Sequence, residues 1–388
     1  LMKEKGLPGT PQTNELAVET ALVNDIEKGS DVEIALRALL QIKRFETRDS
    51  LYYSKYINFP HWRDNNIHAQ LRQNSTVTRR YSGAAPNLQQ LSKGEKGDFR
   101  KVIIPHHKNA MVVSLDFNAQ EVRVLTDFSH DPNLIACYVG DNLKDFHGLT
   151  AANMESMDYE DFMGILDDPK SEKQKWAKGV RGVAKRVNFG SIYGMMAQKL
   201  AQDLMVTEEV ANSYLEAKNT AFARAEEWKV EVIAEARNQG YVTTKLGARR
   251  HLQAAFDKGG YEASKAERQA VNFKIQGSSA EMTKLAMGRI WAAKLKERYD
   301  LVFYAPIHDE VVFSINMDDM PEAIPEIHAL MTAQYADMWI PVESSVSFGF
   351  NFGEQHEMSE QSEICDCSIT PENIRKVVQH LVSEKVCA

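Results

Sequence analysis

The chain has 388 residues, enough for two or three domains around a substantial core, and its 43% hydrophobic and 26% charged residues describe an ordinary globular protein. No apolar run approaches the ~20 residues that a membrane helix needs, and the first residues, LMKEKGLPGTPQ, lack the apolar core of a secretory signal. A net charge of −8 and a pI of about 5.8 argue only weakly against a nucleic-acid partner, because binding follows local charge.

The basic residues are clustered: Lys170, Lys173, Lys175, Lys178, Arg181, Lys185 and Arg186 meet only Glu172 within their span. Cys137 stands alone, and Cys365, Cys367 and Cys387 sit near the C-terminus. That is no disulfide framework, and Cys365-Asp366-Cys367 is too tight for the usual zinc pair. Free thiols in a reducing compartment are expected. The chain opens on Leu1 rather than a methionine, which leaves open a missing upstream segment, targeting sequence included.

Residues 1–70 read as mostly helical. Ser30 and Glu33 have capping-box spacing, followed by Val32, Leu36, Leu39, Leu40 and Ile42 as a broad apolar face. Asp31-Val32-Glu33 has the D-x-E form of metal-dependent exonucleases. In a first helical turn it reads as acid complementing the dipole, and the segment is too short for an exonuclease domain. His61 to Asn66 is polar and turn-like. Asn74 to Gln90 has no clean period and reads as a loop or irregular strand. Its Arg79, Arg80, Asn87, Gln89 and Gln90 either stay solvated or read a nucleic-acid backbone.

Met111 to Leu115 predicts a strand ending in Asp116, with a helix over Phe117 to Phe128; such a carboxylate is a metal ligand or a helix cap. Asp131-Pro132 starts another element, Asp145-Phe146-His147 lies near a helix start, and 154–176 reads as polar helix. In Val180 to Met195, Arg181, Lys185 and Phe189 lie four apart on one helical face. Tyr193 continues the stripe, while Gly190 weakens the helix and Gly194 offers a stop. Two cations and then a ring describe a surface for a phosphate chain and a base. The plainer reading is a solvated basic face with Phe189 and Tyr193 in the core.

Helical spacing dominates Thr207 to Gln239 and ends at Gly240, after which residues 241–251 read as a hairpin carrying Arg249, Arg250 and His251. Glu262 to Met287 predicts a helix interrupted at Gly277, with Arg268, Asn272 and Gln276 on one face, turned to solvent or to bases and sugars. In Leu301 to Ile315 two apolar strands flank His308-Asp309-Glu310 in a tight hairpin. Those acids serve solubility or, with Asp116, complete a two-carboxylate metal site. Ser345 to Phe352 makes a last strand. Thr370-Pro371 begins a helix with Ile374, Val377, Val378, Leu381 and Val382 on one side, to dock on the body or on a partner.

The order of these landmarks carries more than any one of them. Asp116-Phe-Asn-Ala-Gln-Glu-Val-Arg123, then Arg181-x3-Lys185-x2-Asn188-Phe-Gly-x2-Tyr-Gly194, then His308-Asp-Glu310 resembles the three polymerase motifs of family A DNA polymerases. Thr76 to Ser82 with Pro86-Asn-Leu-Gln89 is similar to that family's primer-template loop. Glu267-Arg-x3-Asn272-x3-Gln276-Gly277 is similar to its minor-groove helix, and Asp145-Phe-His147 to a fingers signature. The resemblance covers roughly residues 70–355. It implies an α+β right-hand polymerase fold with an antiparallel-sheet palm, helical fingers and a partial helical thumb. The implied domains are thumb with thumb–palm helices 1–70, first palm part 71–130, fingers 131–255, second palm part 256–357, and a C-terminal extension with a short helix 358–388.

The implied activity is template-directed addition of deoxynucleoside triphosphates to a primer 3′-hydroxyl, releasing pyrophosphate. Two Mg²⁺ ions, with Mn²⁺ able to substitute, suit carboxylate ligands and the charge of phosphoryl transfer. The resemblance assigns them to Asp116, Asp309 and the backbone carbonyl of Leu115, with Glu310 in support. It gives Arg181, Lys185 and His147 to the triphosphate, and Phe189 and Tyr193 to sugar and base. Glu121 would exclude a 2′-hydroxyl. Phe rather than Tyr at 189 implies discrimination against sugars lacking a 3′-hydroxyl. Arg80, Asn87, Gln90, Arg268, Asn272, Gln276 and His308 would meet or buttress primer-template.

Four departures leave these residues intact: Asn118-Ala-Gln120 for Ser-Gln-Ile, Arg79 for Gly, Gly182 for a second Arg, and Lys274 for Pro. The partners expected are primer-template DNA and deoxynucleotides, for a cytoplasmic monomer of a bacterial or phage-infected cell, with an organellar setting left open. The alternatives are a single-subunit RNA polymerase-like enzyme, against which Glu121 and the primer loop speak, and a non-catalytic DNA-binding fragment.

Overall fold

The computed structural model describes residues 18, 22, 26–57, 66–91, 98–192 and 194–387. The chain forms two compact units, one of Leu1–His68 with Met196–Ala211 and one of Ala69–Met195 with Asn212–Ala388. In the first, helix α1 (Asp31–Arg48) starts as its sequence dictates. The Ser30 hydroxyl accepts from the Glu33 amide at 3.2 Å, and the Glu33 carboxylate reaches back to the Gly29 amide and pairs with Arg37 at 2.7 Å. Asp31-Val-Glu33 is thus the acid of a helix start. Leu36 and Leu40 bury against Val18. Of the turn expected at His61 to Asn66, residues 61–65 lie outside the described ones.

In the second unit a short antiparallel pair, β1 (Gln70–Arg72) with β2 (Ser82–Ala84), brackets the stretch expected to be irregular. The centre is β3 (Ala110–Phe117), followed by α2 (Gln120–Ser129), α3 (Phe146–Met154), α4 (Tyr159–Asp167) and α5 (Gln174–Ile192). Helix α6 (Glu208–Ala221) begins among the residues of the first unit, and α7 (Ala223–Gln239), the hairpin β4 (Tyr241–Thr243) and β5 (Arg249–His251), and α8 (Gly260–Asn272) follow in the second. A π turn over Phe273–Gly277 leads into α9 (Ser278–Ala292), followed by β6 (Leu301–Ile307), β7 (Glu310–Asn316), α10 (Met320–Thr332), β8 (Ser344–Gly349), β9 (His356–Glu357) and α11 (Pro371–Cys387).

Two expected helices are divided. The polar segment 154–176 breaks after α4, where Asp168 and Ser171 hold turns, and 207–239 is cut at Phe222, which leaves helical geometry. One expected interruption is absent: Gly277 lies inside a continuous helical run. A β-carbon there would come within 2.8 Å of the Thr244 methyl, so glycine serves the close approach of the β4–β5 hairpin.

The main sheet is antiparallel in the order β6-β7-β3-β8-β9. Its odd-numbered β3 and β7 residues, Met111, Val113, Leu115, Phe117, Val311, Phe313 and Ile315, pack on α9, α10 and α11. The even-numbered Val112 and Val312 join a smaller cluster on the other face with Ala305, Ile307 and Phe352. That alternation puts Asp116 and Glu310 on the side away from the helices. A second core joins α2 to α7 and α8 through Val122, Leu125, Trp228 and Val271, and a third packs α3, α4 and α5 through Ala152, Phe162 and Ala184.

Ile374, Val377, Val378 and Leu381 of α11 are buried in the sheet-and-helix core, so this helix docks on the body. Ile374→Ala is expected to cost about 2–5 kcal/mol of unfolding free energy, read as a lower urea midpoint at unchanged slope. A helix reserved for a partner would leave the midpoint where it is.

Candidate active site

Strand register positions the carboxylates. Asp116, exposed near the end of β3, pairs directly with Glu310, the first residue of β7. Paired residues of an antiparallel ladder lie roughly 4.5–5.5 Å apart at Cα and share a face. The two-residue turn His308-Asp309 closes the β6–β7 hairpin, with Ile307 paired to Glu310 and His308 in left-handed conformation at φ 61°. Asp309 lines a polar pocket with His308, Arg80, Gln120, Ser279 and Thr283. Leu115, the residue before Asp116, is fully buried on the helix-packed face.

Hard oxygen donors at one strand end and one adjoining turn fit Mg²⁺ chemistry. Asp116, Asp309 and Glu310 nevertheless do not bring one oxygen each within 4.8 Å of one another. Among the described residues, His106, His107 and Asp300 do, at the far end of the sheet. The histidine trio is a hydrogen-bonded tie: the Asn109 amide donates to His107 Nδ1 at 3.1 Å, which places that ring's proton on Nε2, 2.8 Å from Asp300.

The expected stripe on α5 is present, with Arg181 half-buried, Lys185 exposed and Phe189 43% exposed on the flank of a face buried through Ala177, Ala184 and Asn188. Phe189 is therefore not a core residue. Tyr193 lies outside the described residues. Gly194 closes the helix in left-handed conformation at φ 72°, where a β-carbon would lie 3.4 Å from the Arg268 side chain. Arg181 is held by both oxygens of Asp145, at 2.5 and 3.1 Å. Asp145 also caps α3 by accepting from the His147 amide at 3.1 Å. Burial alone would raise the Asp145 carboxyl, but Arg181 outweighs it and holds the group below its usual range.

His147 sits between Asn188, whose amide lies 3.1 Å from Nδ1, and the Phe189 ring at 5.6 Å. Burial, reinforced by Arg181 and Lys185 and opposed by Asp145, lowers its pKa to about 4. It is neutral at neutral pH and offers a donor or an acceptor rather than a charge.

Other site groups are already in ion pairs. Arg80 is paired with Glu121 in the first turn of α2. Glu310 meets Arg100 at 3.4 Å, and Arg100 stacks 4.5 Å over Phe352. Asn87 caps the turn Leu88–Gln90 through the Gln89 amide at 3.1 Å, and its side chain occupies the space a β-carbon on Gly83 would need. Its amide oxygen is thus used in shaping the loop, next to the exposed Gln90. Arg268 is exposed, while Asn272 and Gln276 are half-buried, the latter inside the π turn. The wider turn keeps residues four apart on nearly one side, and the buried Asn272 Oδ1 has no hydrogen-bond partner among the described residues.

The sequence motifs gave no role to several contributors. Arg123, almost wholly buried, donates to the Asn118 and Pro341 carbonyls at 2.9 and 2.6 Å and to Glu343 at 2.6 Å, anchoring the segment after Asp116. Lys245 bridges Asp127 at 2.6 Å and Asp337 at 3.1 Å. The β4–β5 hairpin supplies Arg249 and Arg250 to a groove also lined by Arg79, Lys258 and Lys284, with no described carboxylate in its wall. Separations of tens to hundreds of residues hide such partners from spacing rules.

Comparison with known proteins identifies the family. Residues 1–354 match the model of DNA polymerase family A. The chain is 30% identical over 340 residues to DNA polymerase I of Bacillus subtilis, covering 85% of this chain and 36% of the relative. It is 28% identical over 324 residues to DNA polymerase I of Borreliella burgdorferi, covering 83% and 34%. It thus spans about a third of the length of these relatives. A solved structure, the POL domain of Pol1 from M. smegmatis in complex with DNA primer-template and dNTP, superposes with a TM-score of 0.73 at 26% identity, over 88% of this chain and 56% of that one.

Because the unfolded chain takes up a histidine proton near pH 6.5 and folded His147 only near about 4, His147 costs the fold nothing above pH 6.5, and stability is lost as pH falls from 6.5 towards 4. Imidazole resonances followed by NMR should show His147 unprotonated at pH 5.5; a midpoint above 6 would contradict the buried setting.

Proposed function

The chain belongs to DNA polymerase family A, and on that premise we propose that it is a template-directed DNA polymerase extending a primer 3′-hydroxyl with deoxynucleoside triphosphates. The observation that supports this most is the β3–β7 register, which places Asp116 opposite Glu310 and Asp309 in the adjoining turn, all at one end of the sheet. Asp116, Asp309 and the Leu115 carbonyl would hold two divalent cations, Mg²⁺ or Mn²⁺ in its place. Such ions lower the pKa of the primer hydroxyl and neutralise charge developing on the phosphates.

The chain's own residues do the rest. Arg181 and Lys185 receive the triphosphate, Arg181 by exchanging Asp145 for phosphate oxygens in the same bidentate manner. Neutral His147 adds a hydrogen bond without adding charge. Phe189 stacks on sugar and base, a role the family resemblance gives to Tyr193 as well, and Glu121 closes the space below the sugar. Arg80, His308, Arg268, Asn272 and Gln276 meet the primer-template, with the Asn272 oxygen still to be paired. Asn87 and Gln90 shape and flank the primer loop. The groove side chains of Arg249, Arg250, Lys258 and Lys284 supply phosphate neutralisation that a net charge of −8 conceals. The enzyme works as a monomer in the bacterial or phage-infected cytoplasm.

Primer extension with deoxy- and ribonucleotides, with and without Mg²⁺, tests the reading; faster use of ribonucleotides would overturn it in favour of RNA synthesis. Asp116→Asn and Asp309→Asn should each abolish Mg²⁺-dependent extension, and unchanged rates would remove the metal assignment. Lys185→Ala should lower kcat/KM for nucleotide about 10²–10³-fold with primer-template affinity little altered. Glu121→Ala should admit ribonucleotides.

A further inference from the structure

The primer loop contains one arginine that the functional reading does not use. Arg79 holds a left-handed conformation at φ 62°, strained for any side chain and natural for glycine. Its Nε lies 2.7 Å from Oε1 of Glu281 in α9, a carboxylate only 9% exposed. The other oxygen, Oε2, accepts from the Thr244 hydroxyl at 2.6 Å, and Thr244 Oγ1 in turn accepts from the Ala248 amide at 2.9 Å. One buried carboxylate therefore joins the primer loop, α9 and the β4–β5 hairpin, three elements that line the basic groove.

The neighbouring residue points to the opposite anchor. Arg80 reaches Glu121 on α2, and its carbonyl accepts from the Thr76 hydroxyl at 2.8 Å. Lys284, one turn beyond Glu281, donates to the Gln73 carbonyl at 2.7 Å and lies 5.0 Å over the Tyr81 ring. Arg79-Arg80 is thus a two-ended clasp between α9 and α2. The Arg80 end rests on Glu121, whereas the Arg79 end is tied through Glu281 to Thr244 of the hairpin as well.

We propose that Arg79 is a positioning residue: held by Glu281 and Thr244, it fixes the primer loop so that Arg80 lies on Glu121, and so sharpens selection of deoxyribose over ribose. This rests on the polymerase reading of the site. A glycine at 79 would adopt the same backbone without supplying the tie. An arginine there keeps a conformation that suits it poorly because the buried Glu281 charge needs a cation.

Arg79→Met keeps the side-chain length and backbone demand, and Glu281→Gln keeps the volume; both are made in the full chain. In the free protein, amide exchange across residues 76–84 should accelerate about tenfold in each. In primer extension, the ratio of kcat/KM for deoxy- over ribonucleotides should fall roughly three- to tenfold, with kcat for the correct deoxynucleotide within about twofold of wild type. The double variant should fall no further than either single one. Unchanged exchange, an unchanged sugar ratio in an active enzyme, or additive losses would each overturn the proposal. A wild-type chain that adds no nucleotide would instead overturn the polymerase reading, and with it the selection role, while amide exchange decides the tie without reference to activity.

Discussion

The pairing of β3 with β7 is the constraint on which the site depends. Seven residue pairs run from Ala110 opposite Asn316 to Asp116 opposite Glu310. A slip of β3 by one residue would turn Met111, Val113 and Leu115 away from the helices and drive Asp116 into the apolar layer. Burial of Met111, Val113, Leu115, Val311, Phe313 and Ile315 against α9, α10 and α11 makes that slip prohibitive. The carboxylates thus owe their position to hydrophobic residues one step away. The same core takes in Ile374 and Val377 of α11, which makes the C-terminal helix part of the scaffold behind the site.

On this frame the charged groups are held in waiting. Arg181 rests on Asp145, Arg80 on Glu121, Glu310 against Arg100, and Arg79 on Glu281. A cation already in a bidentate pair has surrendered much of its rotamer freedom, so exchanging one anion for another costs less ordering than capturing it from solvent. The partners differ in what else holds them: the second oxygen of Glu281 is taken by the Thr244 hydroxyl, which ties that pair to the β4–β5 hairpin. Local arrangement also explains how an acidic chain presents a basic groove: the acids are elsewhere, and the groove wall holds arginine and lysine alone among ionised side chains.

Much of this was legible before any fold was known. Short apolar, β-prone runs announced β3, β6 and β7, and spacing of four announced the α5 stripe and the Arg268–Asn272–Gln276 face. Both follow from local backbone geometry, which a short window of sequence contains. The misreadings share a cause. Gly277 was expected to interrupt a helix, but its purpose is contact with Thr244, more than thirty positions away. Segments 154–176 and 207–239 were read as unbroken because helical periodicity continues across breaks set by packing at Asp168 and Phe222.

Sequence by itself determined the element types, the ordered motifs and the candidate chemistry: acids at a strand end and a hairpin turn, cations and a ring on one helix face. These are properties of residues close along the chain. Only the tertiary structure decided which charges pair, since Arg181 meets Asp145 across 36 positions, Arg80 meets Glu121 across 41 and Arg100 meets Glu310 across 210. It also decided that Arg79 is tied to a buried carboxylate and that α11 folds into the core. Pairings of this kind depend on which surfaces the hydrophobic layers bring together, and no local period of the sequence encodes them.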